Sequence, residues 1–236
     1  MVKIGDKKIS ANDFYKVLIS NLELQLDEEA LRKVYRSHYF LKEFTREKLI
    51  YGINTGFGPM AQYRINHDDQ MKLQYNLIRS HCSGAGNPIP EIDCKAVMLA
   101  RLNTLMQGFA GIHPDALILI KDLINKNISP VIYEHGGLGA SGDLVQLAHL
   151  ALTLIGEGEV YYNGVITSTE EAFKKENITP MEIHIREGLA LMNGTSAMSG
   201  IGMLNVIYAD FKSNFEETRI SLFGEKLRSF WFSGIE

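Results

Sequence analysis

Only two cysteines, Cys82 and Cys94, occur in the 236 residues, and they form no C-x-x-C pair. A disulfide framework is therefore not expected, and free thiols in a reducing cytoplasm are. No stretch reaches the ~18 apolar residues that a membrane-spanning helix needs, and no basic-then-apolar leader opens the chain, so membrane and secretion are not expected. Basic residues form no patch interleaved with aromatics, and the net charge is −4 with a pI near 6.0. Nucleic acid is thus not an expected partner. The histidines lack metal-ligand spacing such as H-E-x-x-H, so no metal site is read from them. Internal repeats and low-complexity tracts are missing too. What is present is ordinary for a globular protein with a real core: 45% hydrophobic and 22% charged residues.

Most of the chain reads as helix. "DEEALRKVYRSHYFLKEF" has Asp27 as N-cap, acids early and bases later, in accord with the helix dipole. "DDQMKLQYNLIRSHCSGAGNP" sets Met71, Tyr75, Ile78 and Cys82 near one face and stops at Gly84, Gly86 and Pro88. "EIDCKAVMLARLNTLMQG" and "HPDALILIKDLINKN" predict two more helices, closed by Gly or Asn. "GEGEVYYNGVI" predicts a hairpin turning at Asn163-Gly164. The strongest stripe is Leu144, Leu147, Ala148, Ala151, Leu152 and Ile155, whose spacing marks one core-facing helical side. Asp143 and Gln146 are placed to cap its first turn, and Gly156 to end it.

Just before that helix, "EHGGLGASGDL" sets four glycines and an alanine around Ser141. Gly137 to Gly142 spells G-x-G-x-x-G, but a dinucleotide site needs a strand–helix–strand unit, and long helices flank this loop. A serine elbow, G-x-S-x-G, would need glycine where Asp143 stands. The third reading makes the small residues reactants. The amide nitrogen of Gly142 attacks the carbonyl carbon of Ala140. Loss of water from the ring and from the Ser141 side chain leaves a methylidene-imidazolone. Gly142 has no Cβ to shield its nitrogen, Ala140 adds little bulk, and Ser141 supplies the β-hydroxyl that is lost. Flanking glycines admit the compressed backbone this needs.

Four segments together resemble the N-terminal half of the aromatic amino acid ammonia-lyase and aminomutase family, which acts on histidine, phenylalanine or tyrosine. They are "YGINTGFG" from Tyr51, "LQYNLIRSHCSGAG" from Leu73, "GGLGASGDLVQLAHLAL" from Gly136 and "REGLALMNGT" from Arg186. The resemblance runs from about residue 10 to about residue 210. It implies a mainly α fold: the N-terminal domain of the ammonia-lyase fold, with a small β element and the start of a central helical bundle. It further implies that Ala140, Ser141 and Gly142 form the prosthetic group, with no external cofactor. Tyr51 matches the base for the substrate's β-proton. Because free tyrosine titrates near ~10, that role needs surroundings favouring phenolate. Asn193 matches the asparagine that supports the prosthetic group, and Leu144 a pocket-lining residue. Gly58 ends a loop that covers the substrate, and Ser80-His81 matches the pair that tracks substrate choice. The Ser-His pair suits histidine, while the surrounding wording is similar to tyrosine lyases. An imidazole can meet an imidazole or a phenol.

By this resemblance the reaction is non-oxidative loss of ammonia from L-histidine, giving trans-urocanate, or from L-tyrosine, giving p-coumarate. An aminomutase is the alternative. Family members are roughly twice this length and assemble as homotetramers whose active sites draw on three chains. Their later half carries a second catalytic tyrosine loop and an arginine for the substrate carboxylate. Residues 1–210 read as the N-terminal lyase domain, and 211–236 as a divergent tail from truncation or frameshift. A non-catalytic remnant is therefore the competing expectation.

Overall fold

The computed structural model describes residues 1–138 and 141–213, with only the backbone at His67 and Asp68. Gly139, Ala140 and the expected tail from residue 214 onward lie outside the described residues. Helices dominate: α1 (Ala11–Leu18), α2 (Glu28–Phe44), α3 (His67–His81), α4 (Glu91–Leu105), α5 (Pro114–Asn125), α6 (Leu144–Leu154), α7 (Thr169–Glu176), α8 (Glu187–Met192) and α9, helical over 196–213. Short strands join them: β1 (Val2–Ile4), β2 (Leu24–Leu26), β3 (Ala85–Pro88), β4 (Ile128–Pro130), β5 (Tyr133–His135), β6 (Glu159–Tyr162) and β7 (Val165–Ser168).

The helix starts follow from side chains that satisfy free backbone amides. Ser10 and Asp13 close a reciprocal capping box on α1. Asp27 accepts from Ala30 N at the start of α2, as the sequence predicts. Helix α4 is buried without a break from Cys94 to Leu102, so it forms the centre of the core rather than a half-wetted face. Its Lys95 is kept by Asn21 Oδ1 at 3.1 Å and Asn127 Oδ1 at 2.6 Å, while burial pushes the ammonium pKa down. Helix α9 crosses α4 so closely that a Cβ on Gly200 would lie 2.5 Å from the Ala96 carbonyl oxygen.

The sheets are small. β1 and β2 pair in parallel, β3 and β5 antiparallel, and β4–β6–β7 form an antiparallel three-strand sheet. The β6–β7 hairpin turns at Asn163 and Gly164, whose φ values of 53° and 76° match the turn expected of Asn-Gly. Strand β5 lies in "PVIYEH", a short β-like run in the sequence, whereas β1 and β2, with three residues each and no Asn-Gly turn between them, carry too short an alternation to be read. "GAGNP" stops α3 but also pairs as β3 with β5.

Two local expectations fail. Met71 is 51% exposed instead of facing the core with Ile78, although Tyr75 and Cys82, the latter the C-cap of α3, do pack against the core. Asp143 does not cap α6; its Oδ2 accepts from Met198 N at 3.0 Å and so caps α9 instead. A carboxylate at a helix entrance serves whichever free amide the fold brings nearest. Gly156, with φ +85°, does close α6.

Candidate active site

Helices α3, α6 and α8 pack against one another, and the candidate residues hang from their ends. Leu144 opens α6, half-buried against the core. Asn193 caps the C-terminus of α8, its Nδ2 donating to Leu189 O at 3.2 Å. Ser80 and His81 end α3.

The Ser141 loop meets the end of α8 backbone to backbone. Gly142 and Gly194 form an isolated parallel bridge, and Asp143 N donates to Gly194 O at 2.9 Å. Gly142 has φ +82°, and a Cβ there would run into the Gly194 carbonyl. Glycine at 142 is therefore demanded twice, by the left-handed backbone and by the neighbour. Ser141 itself is exposed, and Ala140 lies outside the described residues.

Beneath this contact lies Arg101, 2% exposed in the middle of α4. Its Nη2 donates to Ala190 O and, at 2.7 Å, to Asn193 O. A Cβ on Gly194 would collide with the same guanidinium. Burial pushes the Arg101 pKa down to about 10, opposed by the charge of Asp143, so the group stays cationic at neutral pH. Arg101 thus holds the last carbonyls of α8, where cationic donors are favoured. The sequence reading passed over it, although a lone charge inside "AVMLARLNTL" was a visible signal.

Tyr51 lies on a loop built by Asn54, whose side chain accepts from Ile50 N at 2.7 Å and donates to Lys48 O at 2.6 Å and Thr45 O at 3.2 Å. The Tyr51 hydroxyl oxygen accepts from Gly58 N at 3.2 Å, and the ring stands edge-on to Phe57. Gly58 has φ +52° and open space around its missing Cβ. Gln74, fully buried on α3, ties this loop to α8. Its Nε2 donates to Gly52 O at 2.9 Å, and its Oε1 accepts from Leu189 N at 3.4 Å. Gln74 too was missed, since an amide within a helical pattern looks like surface. Among the described residues Tyr51 and Ser141 share no hydrogen bond; Gln74 and α8 link them indirectly.

His81 Nδ1 lies 2.8 Å from Leu77 O, and Ser80 Oγ lies 3.2 Å from the same nitrogen and donates to Leu77 O. A carbonyl only accepts, so this geometry assigns the proton of a neutral ring to Nδ1 and leaves Nε2 as an acceptor. The chain then runs into β3, with Ala85 opposite His135 of β5, the strand leading to the Ser141 loop. A Cβ on Gly136 would touch both Val145 of α6 and the Cα of Gly84. The end of α3 and the start of the loop therefore lie side by side. The pairing of β5 also removes the dinucleotide reading: the loop enters from a strand paired antiparallel with β3, not from a parallel strand–helix–strand unit.

The aromatic amino acid lyase family profile matches residues 9–229. The chain belongs to the aromatic amino acid lyase family. A histidine ammonia-lyase of Halalkalibacterium halodurans is 40% identical over 226 residues, covering 95% of this chain and 44% of that protein. A tyrosine 2,3-aminomutase of Myxococcus fulvus is 45% identical over 193 residues, covering 81% of this chain and 37% of that one. Among solved structures, the phenylalanine aminomutase of Pantoea agglomerans superposes with a TM-score of 0.81 at 32% identity, over 92% of this chain and 41% of that one. This lyase-family chain thus spans about two fifths of the length of the relatives it matches. Its mainly helical fold with small sheets is the one shared with these structures. No described helix is long and apolar enough to cross a membrane.

Proposed function

We propose that this chain is the Ser141-bearing portion of a non-oxidative ammonia-lyase that converts L-histidine to trans-urocanate or L-tyrosine to p-coumarate. The observation that carries the proposal is the seat of Gly142. Its backbone is pressed against Gly194, where no side chain fits, beside an exposed Ser141. That seat fits a loop closing on itself, because a nitrogen flanked by a bare Cα reaches a carbonyl two residues back with least obstruction. In the closure Gly142 N bonds to the Ala140 carbonyl carbon; one water leaves with that oxygen, and a second takes the Ser141 hydroxyl.

The closed ring supplies an electrophilic carbon without metal or bound vitamin. The remaining work falls to side chains. Tyr51 accepts the substrate's β-proton, and the C–N electron pair departs with ammonia. Gly58 positions the Tyr51 oxygen through its amide. Asn193 and Leu144 border the loop from the ends of α8 and α6. His81 offers Nε2 as acceptor to an imidazole N–H or a phenol O–H, so both substrates satisfy it.

Two further readings have specific support. The Myxococcus fulvus relative, at 45% identity, favours an aminomutase that returns the amine to the β-carbon. The two-fifths span favours a chain that turns over poorly by itself. Purified protein mixed with L-histidine or L-tyrosine, and watched for ultraviolet absorbance of the unsaturated acid, separates them. Slow but Ser141-dependent absorbance supports the lyase. A β-amino acid found by chromatography supports the aminomutase, and rapid turnover overturns the remnant view.

A further inference from the structure

A second cluster lies away from Ser141. His113, the N-cap of α5, Asp115 in the first turn, and His184, before α8, each present a ligand atom, all within 4.8 Å of one another. The His113 and His184 rings lie 4.1 Å apart between centroids, and His38 meets His113 edge-on at 4.8 Å. One buried carboxylate sets this arrangement. Glu187 accepts from His113 N at 3.0 Å through Oε1 and from His184 N at 2.8 Å through Oε2, with Ile185 and Arg186 amides on the latter oxygen as well. The backbones that carry both imidazoles are thus clamped to the same fully buried group.

We propose that His113, Asp115 and His184 form a binding site for a borderline divalent ion of the zinc class. Two imidazoles and one carboxylate favour such an ion over magnesium or calcium, which take oxygen ligands. Bonds of about 2.0–2.2 Å put tetrahedral ligand atoms roughly 3.4 Å apart. His113 Nδ1 and an Asp115 carboxylate oxygen already stand 3.3 Å apart. The ion replaces a weak contact, since Asp115 N donates to His113 Nδ1 at a long 3.3 Å. His38 donates Nδ1–H to Gly111 O at 3.1 Å, which holds its ring against His113. Access exists, because Asp115 and His184 line a cavity of about 650 Å³ that also includes Asp122, Lys126 and Glu176. The histidines lie far apart in sequence, which is why no spacing motif betrays them. Three protein ligands leave a fourth position to water.

Zinc chloride titrated calorimetrically into the purified full chain is expected to bind one equivalent and to raise the thermal midpoint. His113→Ala and His184→Ala should each weaken binding at least tenfold, while His135→Ala should leave it unchanged. Loss of zinc binding in either designed variant must come with a wild-type circular dichroism spectrum to count. If the variants do not fold, ring nitrogen shifts of the wild-type histidines on zinc addition decide: His113 and His184 should move. Absence of binding, unchanged binding in folded variants, or shifts confined to other histidines would overturn the site.

Discussion

Gly142 tests the candidate site at the scale of a single methyl group. Gly142→Ala forces an L side chain into φ +82° and against the Gly194 carbonyl. It should cost about 1–3 kcal/mol from the backbone alone, read from urea unfolding. Arg101 is the counterpart beneath the loop. Arg101→Met leaves the Ala190 and Asn193 carbonyls without their charged donor. A loss of about 3 kcal/mol is expected, and with Asn193-Gly194 released, a smaller dehydrated fraction by mass spectrometry. His149 gives a pH signature. Burial holds its pKa below the ordinary value, and its buried Nε2 has no partner among the described residues. A base with a depressed folded pKa takes its proton more readily when unfolded. Stability therefore falls as pH drops through the unfolded value near ~6.5, and stops falling at the lower folded value. His149→Leu should show a shallower loss of urea midpoint between about pH 7.5 and about pH 5.5.

At the scale of elements, α8 is the hub that joins the Tyr51 loop to the Ser141 loop. Gln74→Leu removes the bond to Gly52 O and leaves that carbonyl buried and unpaired. Amide exchange across 51–58 should accelerate, reflecting about 1–3 kcal/mol of lost local stability. Unchanged exchange would remove Gln74 from the linkage. The helices were legible because their caps and stripes are local: Asp27 before α2, Leu147 and Ala151 within α6, Asn163-Gly164 in the hairpin. What was not legible depends on partners distant in the chain. Asp143 caps α9 rather than α6, and Met71 faces outward although its spacing matches Ile78. Arg101, Gln74 and Glu187 gain their meaning only when α4, α3 and α8 meet. For the candidate site, the Ser141 loop, Tyr51 and Asn193 are named by the family resemblance of their motifs, whereas the buried groups that hold those loops in place carry no motif.

At the scale of the whole molecule, the chain contains the Ser141 loop proposed to react but only about two fifths of the length of its relatives. Met198, Val206, Tyr208 and Phe211 are exposed along α9. Turnover by the chain alone is expected to be slow. Loop closure, by contrast, uses residues that this chain already contains, so it is separable from turnover. The most direct measurement is the mass of the peptide spanning Glu134–Leu152 from protein purified without denaturant. Closure removes two waters, about 36 Da, and Ser141→Ala, lacking the side-chain hydroxyl, should lose at most one. A peptide at its full unmodified mass, from protein shown to be folded, would contradict the account.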